Sequence, residues 1–247
     1  MYAIGIDIGS TAAKAAVLQD GALAYTVVEP TGFSSVEASE RLSARLAEAG
    51  FPTDGAASVV STGYGRVAVP YASKNVTEIT CHGRGASFLF GGNGLVIDVG
   101  GQDTKVISLV GGKVRKFLMN DKCAAGTGKF LEIMADRMGV SQEEMANLAR
   151  AGQPTPISSM CTVFAESEVI SLIGKGEPRE NIANGVIESV CSRVATLAGG
   201  MAGQDCYLTG GLCENAYVIE RLSSHLGRSV STCPEARFAG AIGAALS

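Results

Sequence analysis

Residues 95 to 105 read Leu-Val-Ile-Asp-Val-Gly-Gly-Gln-Asp-Thr-Lys, and residues 4 to 14 read Ile-Gly-Ile-Asp-Ile-Gly-Ser-Thr-Ala-Ala-Lys. Asp7 and Asp98 occupy the same place in these two stretches, and each is followed by a glycine and a lysine at matching positions. Apolar residues precede both aspartates in the same register. Because several spaced matches rarely coincide by accident, we interpret the two stretches as one supersecondary unit used twice.

Each copy predicts a hairpin, since an apolar β-branched run leads to an aspartate, a glycine turn and a second apolar run. Glycine turns let successive backbone N–H groups approach a phosphate. Ser10 and Thr11 add side-chain donors in the first copy, and Gln102 and Thr104 add them in the second. The aspartates suit Mg²⁺ and its water shell. Two facing hairpins would hold a triphosphate from both sides; two ordinary hairpins are the alternative.

Composition limits the class of protein. The chain has 247 residues, of which 46% are hydrophobic and 18% charged, enough for one large domain or two small ones. The formal net charge of −4, without a basic block, argues against a nucleic-acid partner. The N-terminus does not resemble a signal peptide, and no apolar run reaches membrane-spanning length. We therefore expect a cytoplasmic protein that does not enter a membrane.

The cysteines do not form a standard zinc or disulfide pattern. There are seven, an odd number, and none are spaced as Cys-x-x-Cys. Most are expected to be small buried hydrophobic residues. Cys81 and His82 are adjacent, but a structural role is favoured over metal binding. Cys213 and Cys233 follow predicted turns and are expected to be solvent-accessible.

The pattern of apolar residues and breakers divides the chain. Gly91 to Gly94 is the clearest break, so we predict one ribonuclease-H-like subdomain at 1–92 and another at 93–234, with a C-terminal helix at 235–247 that packs back on the first. Helices are predicted over residues 36–50, 78–90, 163–173 and 178–197. Two further helices are predicted, one that starts at a capping box at Ser141 and one that starts near Glu214.

The segment after Asn120 predicts a helix capped by Asp121 that runs to Met138. Its Gly128-Lys129 pair does not fit a phosphate-binding P-loop, which requires Gly at position 123 and Ser or Thr at 130. Further along, a strand over Cys206 to Thr209 leads into Gly210-Gly211. This is a third glycine turn at the carboxyl end of a strand, where α/β folds bind nucleotides.

The two hairpins and the third glycine turn resemble the superfamily of actin, hexokinase and the sugar and acetate kinases. This resemblance implies an α/β fold of two ribonuclease-H-like subdomains with an ATP cleft between them. A sugar kinase, however, has no use for the cysteine-containing segments 120–128 and 158–168.

Those two segments, together with 62–66 (Thr-Gly-Tyr-Gly-Arg) and 78–82 (Glu-Ile-Thr-Cys-His), resemble the ATP-dependent activators of 2-hydroxyacyl-CoA dehydratases. This family also contains the ATPase subunits of benzoyl-CoA reductases, and the resemblance covers essentially the whole chain. It implies a homodimer with one 4Fe–4S cluster at the subunit interface. ATP hydrolysis would drive one low-potential electron onto a dehydratase or reductase, with a ferredoxin or flavodoxin as electron donor.

In this resemblance Cys123 and Cys161 are the cluster ligands. Two thiolates from each subunit supply the four that such a cluster needs. Both cysteine segments border predicted helices, whose N-termini stabilise thiolates. Two buried structural thiols are the alternative.

We expect Asp7 and Asp98 to anchor Mg²⁺, and one of them, or Gln102, to orient the attacking water. Lys14 or Lys105 would neutralise phosphate charge or else face solvent, and Asn215 is an alternative to Glu214 for the ribose or base. The residues expected to contact ATP or ADP are Gly9, Ser10, Thr11, Lys14, Gly100, Gly101, Gln102, Asp103, Gly210, Gly211 and Glu214.

Two other functions remain open from the sequence. A small-molecule kinase of the same fold would phosphorylate a sugar or acid without iron, although the short connection between the hairpins leaves little room for a substrate-binding insertion. A nucleotide-dependent sensor without ATPase activity is the other, and the complete pair of aspartates argues against it.

Overall fold

The computed structural model describes residues 1–120, 123–158, 161–201 and 205–247. They form strands β1 to β10 and helices α1 to α8, with three short 3-10 turns. The chain divides into two compact units. The first unit comprises residues 1–96, 107–117 and 233–247, and the second comprises residues 97–106 and 118–232.

The first sheet is built around the N-terminal hairpin. Its strands are β1 (Tyr2–Ile8), β2 (Ala12–Gln19), β3 (Ala22–Pro30), β4 (Ser58–Thr62) and β5 (Lys74–Asn75), in the order β3-β2-β1-β4-β5. β1, β2 and β3 run antiparallel, whereas β4 and β5 run parallel to β1. The predicted hairpin is therefore confirmed, and its register places Asp7 opposite Lys14.

The second sheet is built around the other hairpin. Its strands are β6 (Gly94–Val99), β7 (Thr104–Val110), β8 (Lys113–Asn120), β9 (Cys206–Gly210) and β10 (Val230–Ser231). The order is β10-β9-β6-β7-β8. When both orders are counted from the hairpin outward they are the same, with the first strand of the hairpin at the centre. One α/β unit is therefore used twice, as the repeated sequence predicted.

The helices of the first unit are α1 (Ser35–Glu48), α2 (Glu78–Phe90) and α8 (Ala239–Ala245). Ser34 caps α1, whose Leu42 and Leu46 are fully buried in the core beside β1 and β2. Helices α2 and α8 approach backbone to backbone. A Cβ on Gly243 would lie 1.7 Å from the Cys81 carbonyl oxygen. The glycine content of α8 thus permits the close packing that the sequence indicated.

The helices of the second unit are α3 (Gly128–Met138), α4 (Gln142–Ala151), α5 (Thr162–Gly174), α6 (Arg179–Ala198) and α7 (Ala216–Leu226). The predicted capping box of α4 is present at Ser141 and Glu144. A surface network joins α6 to α7: Glu188 accepts hydrogen bonds from Arg221 and pairs with His225 at 2.8 Å. Among the described residues, no helix is both long and apolar enough to cross a bilayer.

The start of α3 corrects the sequence-based prediction. The helix begins at Gly128 and not near Asp121, a residue that lies outside the described part of the chain. Residues 123–127 form a loop in which Gly126 has φ +90°, a conformation that interrupts a helix. The Asn120 side-chain amide fixes this loop by donating to the carbonyl oxygens of Cys123 (3.2 Å) and Ala125 (3.0 Å).

Candidate nucleotide and metal sites

The turn after β1 is held by its own backbone and leaves its tip accessible. The Gly9 N–H donates to the Ala12 carbonyl at 3.1 Å, and the Thr31 hydroxyl donates to the Gly9 carbonyl at 2.7 Å. Ser10 and Thr11 are exposed at the tip. Rigid backbone and exposed hydroxyl donors are the features that bind a phosphate.

Asp7 is buried at the end of β1 and packs against two glycines distant in sequence. A Cβ on Gly63 would lie 2.6 Å from Asp7 Oδ1, and a Cβ on Gly240 would lie 2.6 Å from Asp7 Oδ2. The same Cβ on Gly240 would lie 3.0 Å from His82 Nε2, and this imidazole is buried. Any larger side chain at either glycine would displace the carboxylate. The sequence did not indicate that His82 and Gly240 lie beside Asp7.

The turn after β6 is held by the start of α3. Its Gly100 N–H donates to the Asp103 carbonyl at 2.9 Å. The N–H groups of Gly128 and Lys129 donate to the carbonyls of Gly100 and Gly101, each at 2.9 Å. Gln102 is exposed at the tip of the turn. Gly128 and Lys129 therefore have a structural function in this turn, in agreement with rejection of the P-loop interpretation.

Asp98 at the end of β6 belongs to a buried polar cluster. Its Oδ1 accepts a hydrogen bond from the Thr209 hydroxyl at 2.8 Å, and its Oδ2 lies 3.7 Å from Lys105 Nζ. Lys105 Nζ in turn contacts Asp103 Oδ1 at 2.6 Å. The side chains of Lys105 and Asp103 thus lie inside the protein, whereas Lys14 in the first copy is half-buried. The Asp103 carboxylate, a residue predicted to contact ATP, is therefore paired with Lys105 inside the protein.

The third glycine turn lies next to Asp98. Gly210 ends β9 with φ +84°, and a Cβ there would lie 2.4 Å from the Val99 carbonyl oxygen and 3.0 Å from Asp98 Oδ1. The Gly211 N–H donates to the same carbonyl at 3.1 Å. Only glycine combines this positive φ with such close approach. The structure thus brings Gly210 and Gly211 beside a predicted site residue far away in sequence.

A cavity of about 420 Å³ opens beside Gly211, a volume suited to a nucleoside. Glu214 is exposed at its edge. The Asn215 side-chain oxygen accepts from the N–H groups of Tyr217 and Val218 at 3.1 Å, so it caps α7 and is not available as an acceptor for a ligand. The Arg150 guanidinium lies 4.9 Å from the centre of the Tyr217 ring. The lining comprises Gln142, Glu143, Ala146, Asn147, Arg150, Gly211, Leu212, Glu214, Asn215, Ala216 and Tyr217.

The seven cysteines differ in accessibility. Cys161 is exposed and is the N-cap residue of α5, while Cys123 is half-buried in the loop before α3. Cys233 is half-buried and the others are buried, which corrects the expectation that Cys213 is accessible. Burial raises the pKa of the Cys81, Cys191 and Cys233 thiols, and that of Cys206 to about 11. Within the described part of this single chain, no three His, Cys, Asp or Glu residues are grouped to hold a metal.

A repeated α/β unit with glycine turns and aspartates at the ends of its central strands defines the class of nucleotide-binding ATPases. Residues 4–247 match the BadF/BadG/BcrA/BcrD ATPase family, and the chain belongs to it. This confirms the family indicated by the cysteine segments and the hairpins.

The alignments with individual relatives extend over nearly the full length of both chains. The activator of lactoyl-CoA dehydratase from Anaerotignum propionicum is 44% identical, with 100% of this chain and 96% of the relative aligned. The crystal structure of Acidaminococcus fermentans (R)-2-hydroxyglutaryl-CoA dehydratase component A has a TM-score of 0.94 at 41% identity, covering 100% of this chain and 96% of that one. The activator of 2-hydroxyisocaproyl-CoA dehydratase from Clostridium difficile, with bound ADPNP, has a TM-score of 0.91 at 37% identity, covering 100% and 93%. The predicted fold class is confirmed.

Proposed function

We propose that this protein is an iron–sulfur ATPase that couples ATP binding and hydrolysis to transfer of one low-potential electron to a 2-hydroxyacyl-CoA dehydratase or a related reductase. The relatives named as dehydratase activators support the acceptor, and the relative with bound ADPNP supports the nucleotide. The observation that carries the proposal is the placement of Cys161, an exposed thiol at the start of a helix with an exposed apolar face.

The nucleotide half of the proposal uses the glycine turns. The turn donors at Gly9, Ser10 and Thr11 bind one part of the phosphate chain, and the turn from Gly100 to Asp103 binds another. Asp7 and Asp98 hold Mg²⁺ and its waters, a task suited to carboxylates at strand ends. Gln102, exposed at the tip of the turn after β6, orients the attacking water. Hydrolysis then depends on positioning and charge stabilisation, and no covalent intermediate is required.

Adenosine is assigned to the cavity beside Gly211. Gly210 and Gly211 allow it to lie close to the backbone, and the exposed Glu214 carboxylate is placed to accept from ribose hydroxyls. Since the Asn215 oxygen caps α7, Glu214 is favoured of the two candidates. Lys14, half-buried opposite Asp7, is favoured over the buried Lys105 as the lysine that neutralises phosphate charge.

The residues around Cys123 and Cys161 fit an iron–sulfur cluster shared by two copies of the chain. Both thiols have some solvent access, unlike Cys81, Cys191 and Cys206. Of the small residues after Cys123, Ala124 is half-buried and would allow a second subunit to approach, whereas Ala125 and Gly126 are buried within the chain. A 4Fe–4S cluster needs four thiolates, so two copies with two cysteines each would hold one. When bound, this cluster would supply a one-electron site of low potential.

The surface beside Cys161 supports the homodimer. Helix α5 buries only Ala165 and Val169 among its residues, although its composition is strongly apolar. Large apolar side chains that remain exposed on it are Val163, Phe164, Ile170 and Ile173, with exposed fractions between 43% and 68%. An exposed apolar surface of this kind is typical of a protein interface. A second copy of the chain covers part of it, and the electron acceptor and a ferredoxin or flavodoxin donor dock nearby.

The first test is the iron and acid-labile sulfide content of protein purified without oxygen, with an electron paramagnetic resonance spectrum after reduction. We expect about two iron atoms per chain, since four are shared by two subunits. Cys123→Ala and Cys161→Ala should each remove the iron and the signal. Cys233→Ala is the matched control, since this thiol is also half-buried. Absence of iron after anaerobic reconstitution would refute the proposal and favour the small-molecule kinase.

The second test separates hydrolysis from iron binding. Asp7→Ala and Asp98→Ala should abolish ATP hydrolysis and electron delivery to an added dehydratase component, while the iron content stays at the wild-type value. Normal turnover in both variants would contradict the assignment of the two aspartates.

A further inference from the structure

The cluster around Asp98 contains a lysine that is almost completely buried. Lys105 and both of its acidic partners have side chains that are 3% to 4% exposed. Its ammonium lies between Asp103 Oδ1, at 2.6 Å, and Asp98 Oδ2, at 3.7 Å. Charged groups are rarely buried unless they are paired, so this arrangement restricts all three side chains.

The first copy of the repeat does not contain this arrangement. Ala12 and Ala13 occupy the positions that correspond to Asp103 and Thr104. Lys14, the counterpart of Lys105, is therefore not drawn inward by a carboxylate in the same turn, and it is half-buried. The two lysines share a place in the motif but have different surroundings.

We propose that Lys105 is a positioning residue for ATP hydrolysis: held by Asp103, its ammonium is a fixed internal cation that, together with the Thr209 hydroxyl, orients the carboxylate of Asp98. Each oxygen of Asp98 then faces a separate partner, Thr209 Oγ1 at 2.8 Å and Lys105 Nζ at 3.7 Å. The cation also offsets the repulsion between two carboxylates buried in one place. This role rests on the ATPase part of the proposed function and does not depend on electron transfer.

The decisive variant is the double substitution Asp103→Asn with Lys105→Met, which removes both charges and keeps similar side-chain volumes. It keeps the net charge of the three side chains at −1, whereas Lys105→Met alone would bury two carboxylates together without this ammonium. Because displaced catalytic groups cost about 100-fold in rate, we expect kcat for ATP hydrolysis to fall by about that factor. KM for ATP should stay at the wild-type value, since the phosphate-binding turns are intact. Lys113→Met, on an exposed lysine of β8, is the matched control.

Two further measurements decide between a positioning and a structural role. If Lys105 acts through Asp98, the double substitution should cause no further loss of kcat when it is made in an Asp98→Asn background, as expected for residues that act as a unit. A folded double variant with wild-type kcat, or an equal loss of kcat in the Asp98→Asn background, would overturn the role of Lys105. The proposed function would survive either result. Absence of ATP turnover in the wild-type chain would overturn both.

Should the double variant fail to fold, Asp103→Asn alone provides the test. Lys105 would keep its charge but lose its nearer ionic partner, the one at 2.6 Å. Without that partner the ammonium is no longer fixed beside Asp98, so kcat should fall while KM is unchanged. An unchanged kcat in this variant would overturn the proposal.

Discussion

Replacing Gly240 by alanine should lower ATP hydrolysis while leaving the fold intact. The added Cβ would lie 2.6 Å from Asp7 Oδ2 and 3.0 Å from His82 Nε2, and real Cβ atoms are essentially never found within 3.0 Å of another heavy atom. The carboxylate must therefore move by several tenths of an ångström or more. A displacement of about 1 Å at a catalytic group costs about 100-fold in rate, so kcat should fall by 10-fold to about 100-fold.

The stability of the Gly240→Ala variant follows from two opposing terms. Alanine is favoured over glycine within a helix by about 1 kcal/mol, and Gly240 is the second residue of α8. Forcing Asp7 away from its preferred rotamer costs about 0.5–1.5 kcal/mol. These terms nearly cancel, so the free energy of unfolding should change by less than about 1 kcal/mol.

The assay is steady-state ATP hydrolysis, accompanied by urea unfolding of the same samples. Gly199→Ala at the end of α6 is the control, because a Cβ there would meet only ordinary contacts of 3.4 Å and 3.5 Å. Wild-type kcat in a folded Gly240→Ala variant would refute the reasoning, since Asp7 would then tolerate displacement or have no part in hydrolysis.

Three further predictions concern the second unit. Glu214→Ala should raise KM for ATP about 10-fold at unchanged kcat, because a hydrogen bond to a charged group is lost equally from ground and transition states; an unchanged KM would contradict the adenosine site. Thr209→Val should lower kcat by about 10-fold or more, because one charge-assisted hydrogen bond to Asp98 is lost. If the losses of kcat from Thr209→Val and Asp98→Asn simply added in the double variant, Thr209 would not act through that carboxylate. Burial acts to raise the pKa of Glu188, but hydrogen bonds from Arg221 and His225 outweigh it and hold the pKa below its usual value. The interactions of the Glu188 carboxylate with Arg221 and His225 therefore stabilise the fold above about pH 4.3, the usual pKa of a glutamate. Their contribution is lost as the pH falls through the lowered pKa. The difference in urea midpoint between wild type and Glu188→Gln should shrink on acidification, and a constant difference would contradict this.

The parts of the fold that were predicted correctly rest on local signals. The helix α4 begins where the Ser141 capping box places it. The helix α3 ends at Gly139, which has a positive φ, and the glycine was sufficient to predict this end from the sequence. These features depend on residues within one or two turns, so the sequence contains all the necessary information.

The features that were missed depend on contacts between distant segments. The start of α3 at Gly128 is set by hydrogen bonds to the carbonyls of Gly100 and Gly101, which no pattern within 120–128 can indicate. The same holds for the surroundings of Asp7, since Gly63 follows β4 and His82 and Gly240 lie on α2 and α8. Periodicity identified each of these segments but gave no information on which residue of one meets which residue of another.

The repeat extends further than the hairpins, because in both copies a Thr-Gly pair at the end of a neighbouring strand lies beside the aspartate. Thr62 ends β4 and is followed by Gly63 beside Asp7, and Thr209-Gly210 ends β9 beside Asp98. In both copies the glycine has a positive φ, +89° and +84°, and packs on a carbonyl of the central strand.

The two aspartates differ in their side-chain neighbours. In the second copy the threonine hydroxyl donates to the aspartate and a buried lysine approaches its other oxygen. In the first copy the aspartate packs against a glycine of the C-terminal helix and lies near a histidine. Because both aspartates stand in the same Asp-x-Gly pattern, we attribute any difference between the proposed roles of Asp7 and Asp98 to these neighbours. The variants of Lys105 and Gly240 therefore test the proposed roles of Asp98 and Asp7 separately, and unequal losses of kcat are expected from them.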